Sequence, residues 1–386
     1  MDVLIHNPLF ATHAVSAAAA ITFATAATHP LDTVKTLIQV GSGAAKQLTA
    51  AQALERVTSS SGFAGLYNGI GWSILGRISG LGFRFGAYEI LTAYCKDGRE
   101  YNYVHVSEAF WAGVAAGAAE SVLTTPFQMI QLRAQVASAA SAASHVTNSA
   151  SVAVENAAME PGRLLVKGLL RGYAPNKAAL ANSVNLLSTL PCKNVNLVEA
   201  MQGYPWMMSG SGRAPPVWRV KRASDIVSLE GWGALWRGMR SGIARDSIFG
   251  GVFFSTWQLF HSAMLEWKAV GMVPPPPLGA DVGPLSPLAV TVSAGVSGAI
   301  AAAASHGFDT AKSRAECVVI PKHVAYERKL LKWKRPGNRF ERYTGIHPRD
   351  RNLLVRGISL RMACSGLATF MIVGGYFLAV DNIVSR

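Results

Sequence analysis

A phrase of eleven residues occurs three times in this chain and constrains its fold more than any other feature. The copies are HPLDTVKTLIQ, TPFQMIQLRAQ and HGFDTAKSRAE, at residues 29–39, 125–135 and 306–316. Each copy follows a long run of small and apolar residues. A helix in lipid must satisfy its own backbone hydrogen bonds, so a helix breaker followed by charge indicates a functional boundary at its aqueous end. Three such boundaries predict three related units.

A second element recurs at a fixed distance from a glycine. Gly69, Gly238 and Gly357 each open an apolar stretch, and an aromatic residue stands nineteen positions after each of them. Each unit is therefore predicted to hold two helices, and three units give six. The predicted helices cover residues 8–40, 70–96, 104–136, 240–268, 285–316 and 355–384. Repeats related by an axis along the membrane normal are a known plan among transporters.

The composition indicates a membrane protein. Half of the residues are hydrophobic and only 15% are charged, whereas about a quarter are charged in a typical soluble protein. Few windows reach the ~20 uninterrupted apolar residues of a simple membrane anchor, and the stretch 104–125 carries Glu108 and Glu120. Weakly hydrophobic helices with polar residues favour a bundle around a water-filled cavity. The predicted class is an all-α membrane protein.

The three phrases follow the pattern Pro-x-acid-x-x-base, which is complete in the first copy, and two of the three glycine-led helix starts read aromatic-x-Gly. Together these repeats resemble the mitochondrial carrier family. The resemblance implies six transmembrane helices in three pseudo-symmetric two-helix repeats. These would be residues 1–100, residues 101–270 with an inserted loop at about 137–222, and residues 271–386 with a basic loop at about 317–354. The implied function is transport of a small solute by alternating access across the mitochondrial inner membrane. The resemblance implies no enzyme activity, no cofactor and a monomeric transport unit.

The net charge of +14 is distributed unevenly between the loops. The loop 317–354 holds ten Lys and Arg residues, whereas the loop 269–284 holds none. By the positive-inside rule both termini then lie on one side of the membrane and the long basic loops on the other. The resemblance assigns these sides to the intermembrane space and the matrix. Nucleic-acid binding is not expected, because the positive charge follows the loop asymmetry of a membrane protein.

The resemblance implies a gate in which the acid of each motif pairs with the base of the next. The pairs here would be Asp32 with Gln131, Gln128 with Lys312, and Asp309 with Lys35. Only the Asp309–Lys35 pair is ionic, so it is expected to be the only charged bridge of a weakened matrix gate. A glutamine supports each pair in the family, and the corresponding residues here are Gln39, Gln135 and Glu316.

The gate at the opposite end departs further from the family pattern, which is an aromatic residue, an acid and, three positions later, a base. The bases are replaced by Thr92, His261 and Val380. Only Glu89 keeps an acidic charge there, so a ring of salt bridges cannot form. Closure at this end would depend on packing of aromatic side chains or be incomplete.

Substrate contacts in this family lie seven positions after each opening glycine. The corresponding pairs are Gly76-Arg77, Arg245-Asp246 and Cys364-Ser365, and Arg361 adds positive charge nearby. An arginine followed by an acid resembles carriers of amino acids, since Arg can hold a carboxylate and Asp an ammonium group. The alternative, in which Arg245 and Asp246 pair with neighbouring helices, remains open at this stage.

Helix starts with free N–H groups favour anions, and the family binds cardiolipin phosphates at such starts. The matching residues are Gly69, Trp236, Arg237, Gly238, Arg356 and Gly357. The four cysteines and nine histidines show no metal-ligand spacing, so no metal site is predicted. His29 and His306 are interpreted as polar residues at equivalent helix positions.

Two long insertions leave a second function open. The tract from residue 137 to about 222 begins rich in Ala and Ser, which predicts partial disorder. It and the basic loop 317–354 could bind a protein partner. With the altered gates, they favour a non-transporting structural or assembly protein of the same fold as the alternative to transport.

Overall fold

The helices of this protein account for most of the chain that its structure describes. The computed structural model describes residues 8–41, 48–97, 103–151, 217, 220–272, 283–320, 352 and 354–384. The α-helices are α1 Pro8–Gly41, α2 Ala50–Ser61, α3 Ile70–Lys96, α4 Val106–Ser151, α5 Ala223–Glu230, α6 Met239–Val270, α7 Pro287–Ala304, α8 His306–Glu316 and α9 Ile358–Val384. Two 3₁₀ helices, Phe63–Tyr67 and Trp232–Trp236, precede α3 and α6. The described residues contain no β-strand, which confirms the all-α class.

Two predicted helix boundaries are wrong. Helix α4 runs to Ser151, although irregular structure was expected from residue 137. The reason is the alanine content of this tract, because alanine is the strongest helix former. The predicted single helix 285–316 is divided into α7 and α8, with Ser305 between them. The remainder of the first insertion and the basic residues of the second lie largely outside the described residues.

Prolines of the repeated phrase do not end their helices. Pro30 lies inside α1 and Pro126 inside α4. Proline removes one backbone hydrogen bond of a helix, and the helices continue beyond it. The third phrase has Gly307 in place of proline, and it is here that the helix is interrupted at Ser305.

Glycines with positive φ open the second helix of each predicted unit. The φ angles of Gly69, Gly238 and Gly357 are 87°, 84° and 81°, a region that other residues rarely adopt. Each glycine lies against a helix that carries the phrase. The atoms nearest to a Cβ placed on each glycine belong to Gln131 on α4, Glu316 on α8 and Ile38 on α1. The third helix start therefore packs against the first phrase.

Long helices surround a polar centre. In the order α1, α3, α4, α6, α7 and α9, each contacts the next, and α9 contacts α1. Helix α8 contacts α1, α4 and α6 at the end of this ring where the three phrases meet, which we call the motif end. Several of the largest buried side chains are polar, including Arg133 and Lys312. The ring therefore encloses charge in addition to its apolar contacts.

The closest approach within the ring joins α4 and α6. A Cβ atom added at Gly117 would overlap the main-chain oxygen of Asp246, and one at Gly113 would overlap that of Gly250. Backbones can approach closely where small residues meet. This contact fixes the position of Asp246, which lines the cavity described below.

Substitution of Gly117 by alanine is expected to lower the thermal midpoint of the purified protein. Overpacking costs about 1–3 kcal/mol, because neither backbone can yield without moving its helix. The matched control is Gly82→Ala in α3, where a Cβ atom meets nothing within 4 Å. Alanine is a better helix former than glycine by ~1 kcal/mol, so the control should not destabilise the protein. Equal midpoints for the two variants would contradict the close contact.

Candidate functional site

A cavity of about 260 Å³ lies inside the ring of helices. Its walls come from α1, α3, α4, α6, α8 and α9. Among the described residues, five cations and five carboxylates line it. The cations are Lys35, Arg77, Arg84, Arg245 and Arg361, and the carboxylates are Asp32, Glu120, Asp246, Asp309 and Glu316. Buried charges in a membrane bundle are costly, and they indicate a functional site.

Asp32 is held by three residues at the motif end of the cavity. Gln131 Nε2 donates to Asp32 Oδ2 at 2.9 Å, which is the first expected gate pair. Gln135 Nε2 donates to the same oxygen at 3.3 Å. Lys35 Nζ lies 2.9 Å from Asp32 Oδ1, one turn along α1. The expected pair of Asp32 with Gln131 is therefore formed, and the supporting residue Gln135 contacts the same carboxylate.

Asp309 is the most heavily partnered carboxylate of the motif end. Its expected partner Lys35 lies 3.5 Å away, and Gln39 Nε2 donates to it at 3.0 Å. Arg245 and Arg361 also lie 3.2 and 3.4 Å from its oxygens. The expectation that Lys35 and Asp309 form the only charged bridge is therefore wrong. The expected gate was based on residues of the three repeated phrases, whereas these arginines lie on α6 and α9.

Lys312 forms the third expected pair, with Gln128, and its acidic partner is Glu316. Its Nζ donates to Gln128 Oε1 and lies 3.7 Å from Glu316 Oε1, one turn further along α8. Arg245 Nη2 also donates to Gln128 Oε1 at 2.9 Å. The negative charge that the family pattern places at residue 128 is thus supplied from residue 316. We call the six residues of the three pairs the motif ring: Asp32, Lys35, Gln128, Gln131, Asp309 and Lys312.

Arg245 and Asp246, the predicted substrate pair, neutralise each other. Arg245 Nε lies 2.8 Å from Asp246 Oδ1, and Nη2 lies 2.9 Å from Oδ2. This two-point pairing is the strong geometry of an arginine with a carboxylate. Both residues line the cavity, and Arg245 also reaches the motif ring through Asp309. The alternative, in which these residues pair with neighbouring helices, is met through Asp309 on α8 and Arg84 on α3, in addition to their pairing with each other.

Arg77 and Arg361 retain capacity to bind an anion. Arg77 Nη1 donates to Thr28 Oγ1 at 3.5 Å, and no described carboxylate lies within ion-pair distance of it. Arg361 Nη2 donates to Ser305 Oγ at 2.8 Å, while its buried Nη1 has no hydrogen-bond partner among the described residues. Cys364 Sγ donates to the carbonyl of Thr28 at 3.8 Å. Gly76, Cys364 and Ser365 line the cavity as expected.

Glu120 is a site residue that sequence reasoning did not assign. Its carboxylate accepts from Arg84 Nε, and both side chains are buried. The Arg84 guanidinium also lies 4.9 Å from the ring centre of Phe249 and 3.9 Å from Asp246. The sequence does place Glu120 in the middle of an apolar helix, and an acid in such a position indicates a partner inside the protein.

Aromatic side chains cluster towards the end of the ring opposite the motif end. Tyr88 and Phe254 stack with ring centres 3.7 Å apart, and Phe85 meets Phe254 edge-on at 5.4 Å. Trp257 packs against Phe253 at 5.7 Å. The first two contacts join α3 and α6, and the third lies within α6. Thr92, which replaces an expected base, donates to the carbonyl of Tyr88 in its own helix.

The candidate lipid residues have protein partners around their helix starts. Trp236 Nε1 donates to the carbonyl of Val122 at 3.2 Å. Arg237 pairs with Glu230. His306 Nε2 lies 3.0 Å from the carbonyl of Arg356. His29 makes the equivalent contact with the carbonyl of Asn68 at 3.2 Å, so both histidines bind the loop that precedes a second helix.

Part of this chain is similar to known proteins. The succinate/fumarate mitochondrial transporter of Saccharomyces cerevisiae is 31% identical over 113 residues, which cover 28% of this chain and 35% of that relative. The family described as mitochondrial carrier protein matches residues 6–98. Both comparisons point to the mitochondrial carrier family, over about a quarter of this chain. The chain spans about a third of the length of this yeast relative. Members of the family are transporters and not enzymes.

Proposed function

We propose that this carrier moves a small, amino-acid-like metabolite across the mitochondrial inner membrane by alternating access. The observation that carries the proposal is the charged cavity inside a ring of helices, which the motif ring bounds at one end. Its volume of about 260 Å³ lies below the ~300–1,000 Å³ of clefts that hold drug-sized ligands. A metabolite the size of an amino acid suits this space better than a nucleotide.

The proposed architecture places six helices across the membrane, in repeats covering residues 1–100, 101–270 and 271–386. Ala11–Gly41, Pro287–Ala304 and Ile358–Asn382 are long and apolar enough to cross a membrane. The other spans would be the arginine-bearing helices α3 and α6 and the first part of α4. The termini would face the intermembrane space, and cardiolipin would bind at the three glycine-led helix starts of a monomer.

Competition for arginine would couple solute binding to opening of the matrix gate. Asp309 shares Arg245 and Arg361 with the cavity. A solute carboxylate that binds these arginines withdraws positive charge from Asp309, which weakens the motif ring. A ligand shifts a conformational equilibrium only by its differential affinity for the two states. Because Arg245 and Arg361 are held by Asp309 in this conformation, the solute would bind more tightly to a conformation in which they are released.

Transport is expected to include net unidirectional movement, because no ring of salt bridges can stabilise closure at the opposite end. The measurement is uptake of radiolabelled solute into liposomes containing the purified carrier, with and without solute inside. We expect uptake in both cases. An absolute requirement for internal solute would establish strict exchange and contradict this expectation.

The alternative is a carrier-fold protein that serves as a structural or assembly partner. The loss of bases at Thr92, His261 and Val380 favours it. A partner would bind the loops at about 137–222 and 317–354. Absence of uptake for amino acids, keto acids and nucleotides, together with recovery of one stable partner that requires the 137–222 loop, would establish this alternative in place of transport.

A further inference from the structure

Charge and apolar surface are separated along the length of the cavity. On α3 the lining residues are Arg77, Leu81 and Phe85, four positions apart and therefore on one helix face. On α6 they are Arg245, Phe249 and Phe253 in the same spacing. The arginine of each series lies nearest the motif end. The cavity thus becomes more apolar away from the motif end, where the lining charges are the mutually paired Arg84 and Glu120.

The third wall has the same order. On α9 the lining begins with Arg361 near the motif end and reaches Ile372 and Val373 three turns later. Cys364 and Ser365 lie between them, followed by Ala368. Three helices therefore present arginine at one depth and apolar side chains at another. A solute that satisfies both depths needs an anionic head and an apolar tail.

The charge balance of the cavity leaves one cation over. Each of the five lining carboxylates has a lysine or arginine within 4 Å. Lys312, buried beneath the cavity, raises the cations to six. Arg77 is the lining cation without a carboxylate at ion-pair distance among the described residues. One negative charge on the solute would balance this excess.

Arg77 and Arg361 are brought to one side of the cavity by α1. Arg77 donates to the side chain of Thr28, and Cys364, one turn beyond Arg361 on α9, donates to the carbonyl of the same residue. The unpartnered Nη1 of Arg361 is buried at this depth. A single carboxylate has two oxygens and can accept from both guanidinium groups.

We propose that the solute is a monocarboxylate with an apolar side chain, held by Arg77 and Arg361 at its carboxylate and by Phe85, Phe253 and Ile372 at its tail. This inference rests on the proposed transport function. Hydrophobic amino acids and their 2-oxo acids share this chemistry. They differ in the ammonium group, for which the described cavity offers only carboxylates that already have a cation.

The test measures the thermal midpoint of the full-length protein in detergent at increasing solute concentration, since a ligand of the folded state raises it. The series is pyruvate, 2-oxobutanoate, 3-methyl-2-oxobutanoate and 4-methyl-2-oxopentanoate, with leucine as the amino-acid arm. Succinate, ornithine and ADP represent other solute classes. Apparent affinity should rise at least about 10-fold from pyruvate to 4-methyl-2-oxopentanoate. The leucine arm shows whether the ammonium group is accepted.

Paired variants separate the head from the tail. Arg77→Gln should weaken binding of every acid about 10-fold or more, whereas Arg240→Gln, on an exposed residue outside the cavity lining, should not. Ile372→Ser should reduce the dependence on tail length. Its control is Leu378→Ser on the same helix, where the side chain is 67% exposed.

A larger shift with succinate or ADP than with the branched acids would overturn the inference. So would unchanged tail dependence in Ile372→Ser. Liposome uptake distinguishes this failure from failure of the proposed function: uptake of a dicarboxylate or nucleotide refutes only the inference, whereas no uptake and no thermal shift with any solute refutes both.

Discussion

Replacement of Asp309 by asparagine is expected to lower the thermal midpoint of the purified protein by about 5–10 °C. The Asp309 carboxylate lies within 4 Å of Lys35, Arg245 and Arg361 and accepts from Gln39. Removal of one partner from a buried ionic cluster costs about 3–5 kcal/mol, because the remaining charges stay buried without compensation. Three cations share this acid, although Lys35 also contacts Asp32 and Arg245 also contacts Asp246.

Two matched variants test whether the effect belongs to the cluster. Asp381→Asn changes an exposed aspartate of α9 and should leave the midpoint within about 1 °C. Gln128→Ala removes a motif-ring residue without removing charge, and its effect should be smaller than that of Asp309→Asn. Similar midpoints for Asp309→Asn and Asp381→Asn would show that Asp309 does not hold the ring together.

Replacement of Arg133 by methionine is expected to have a comparable effect. The Arg133 side chain is fully buried and donates to Glu230. It also lies 3.3 and 3.4 Å from the main-chain oxygens of Glu316 and Val318. It therefore connects α4 with α5 and with the segment that follows α8. Its loss leaves Glu230 with less compensation and should lower the midpoint by about 5–10 °C.

A double-mutant cycle identifies the source of this loss. The variants are Arg133→Met, Glu230→Gln and their combination, with Arg56→Met on the exposed face of α2 as the control. Because the double variant leaves fewer uncompensated buried charges, it should be more stable than the sum of the single effects predicts. Additive effects would mean that the Arg133–Glu230 pair contributes no coupling, and would contradict this account.

The motif-ring contacts could be predicted because they depend only on register. Three copies of one phrase at equivalent helix positions determine which residues face one another, and Gln131–Asp32, Lys35–Asp309 and Lys312–Gln128 are all in contact. The additional partners of Asp309 could not be predicted in this way. Arg245 and Arg361 reach it from helices whose relative depth depends on packing, including the close contact at Gly117.

The pairing of Arg245 with Asp246 shows a second limit of sequence reasoning. Adjacent residues of opposite charge were interpreted as two halves of a solute site. On α6 their side chains bend towards each other and satisfy both charges. The side chain with spare capacity is Arg77, whose residue type is equally visible in the sequence. Its lack of a carboxylate partner depends on three-dimensional distances.

The position of Glu316 has a consequence for how this ring can change by substitution. Lys312 lies between Gln128 and Glu316, so the acid for this lysine stands on its own helix and not on α4. An acid at residue 128 while Glu316 remains would add a carboxylate to Lys312 and Arg245, which already have acidic partners. Loss of Glu316 alone would leave that lysine buried without an acid. Each single step is therefore unfavourable, and the two sites can exchange their charge only together. The residues at positions 128 and 316 are therefore expected to change together, even though the motif at residues 125–135 departs from the family pattern.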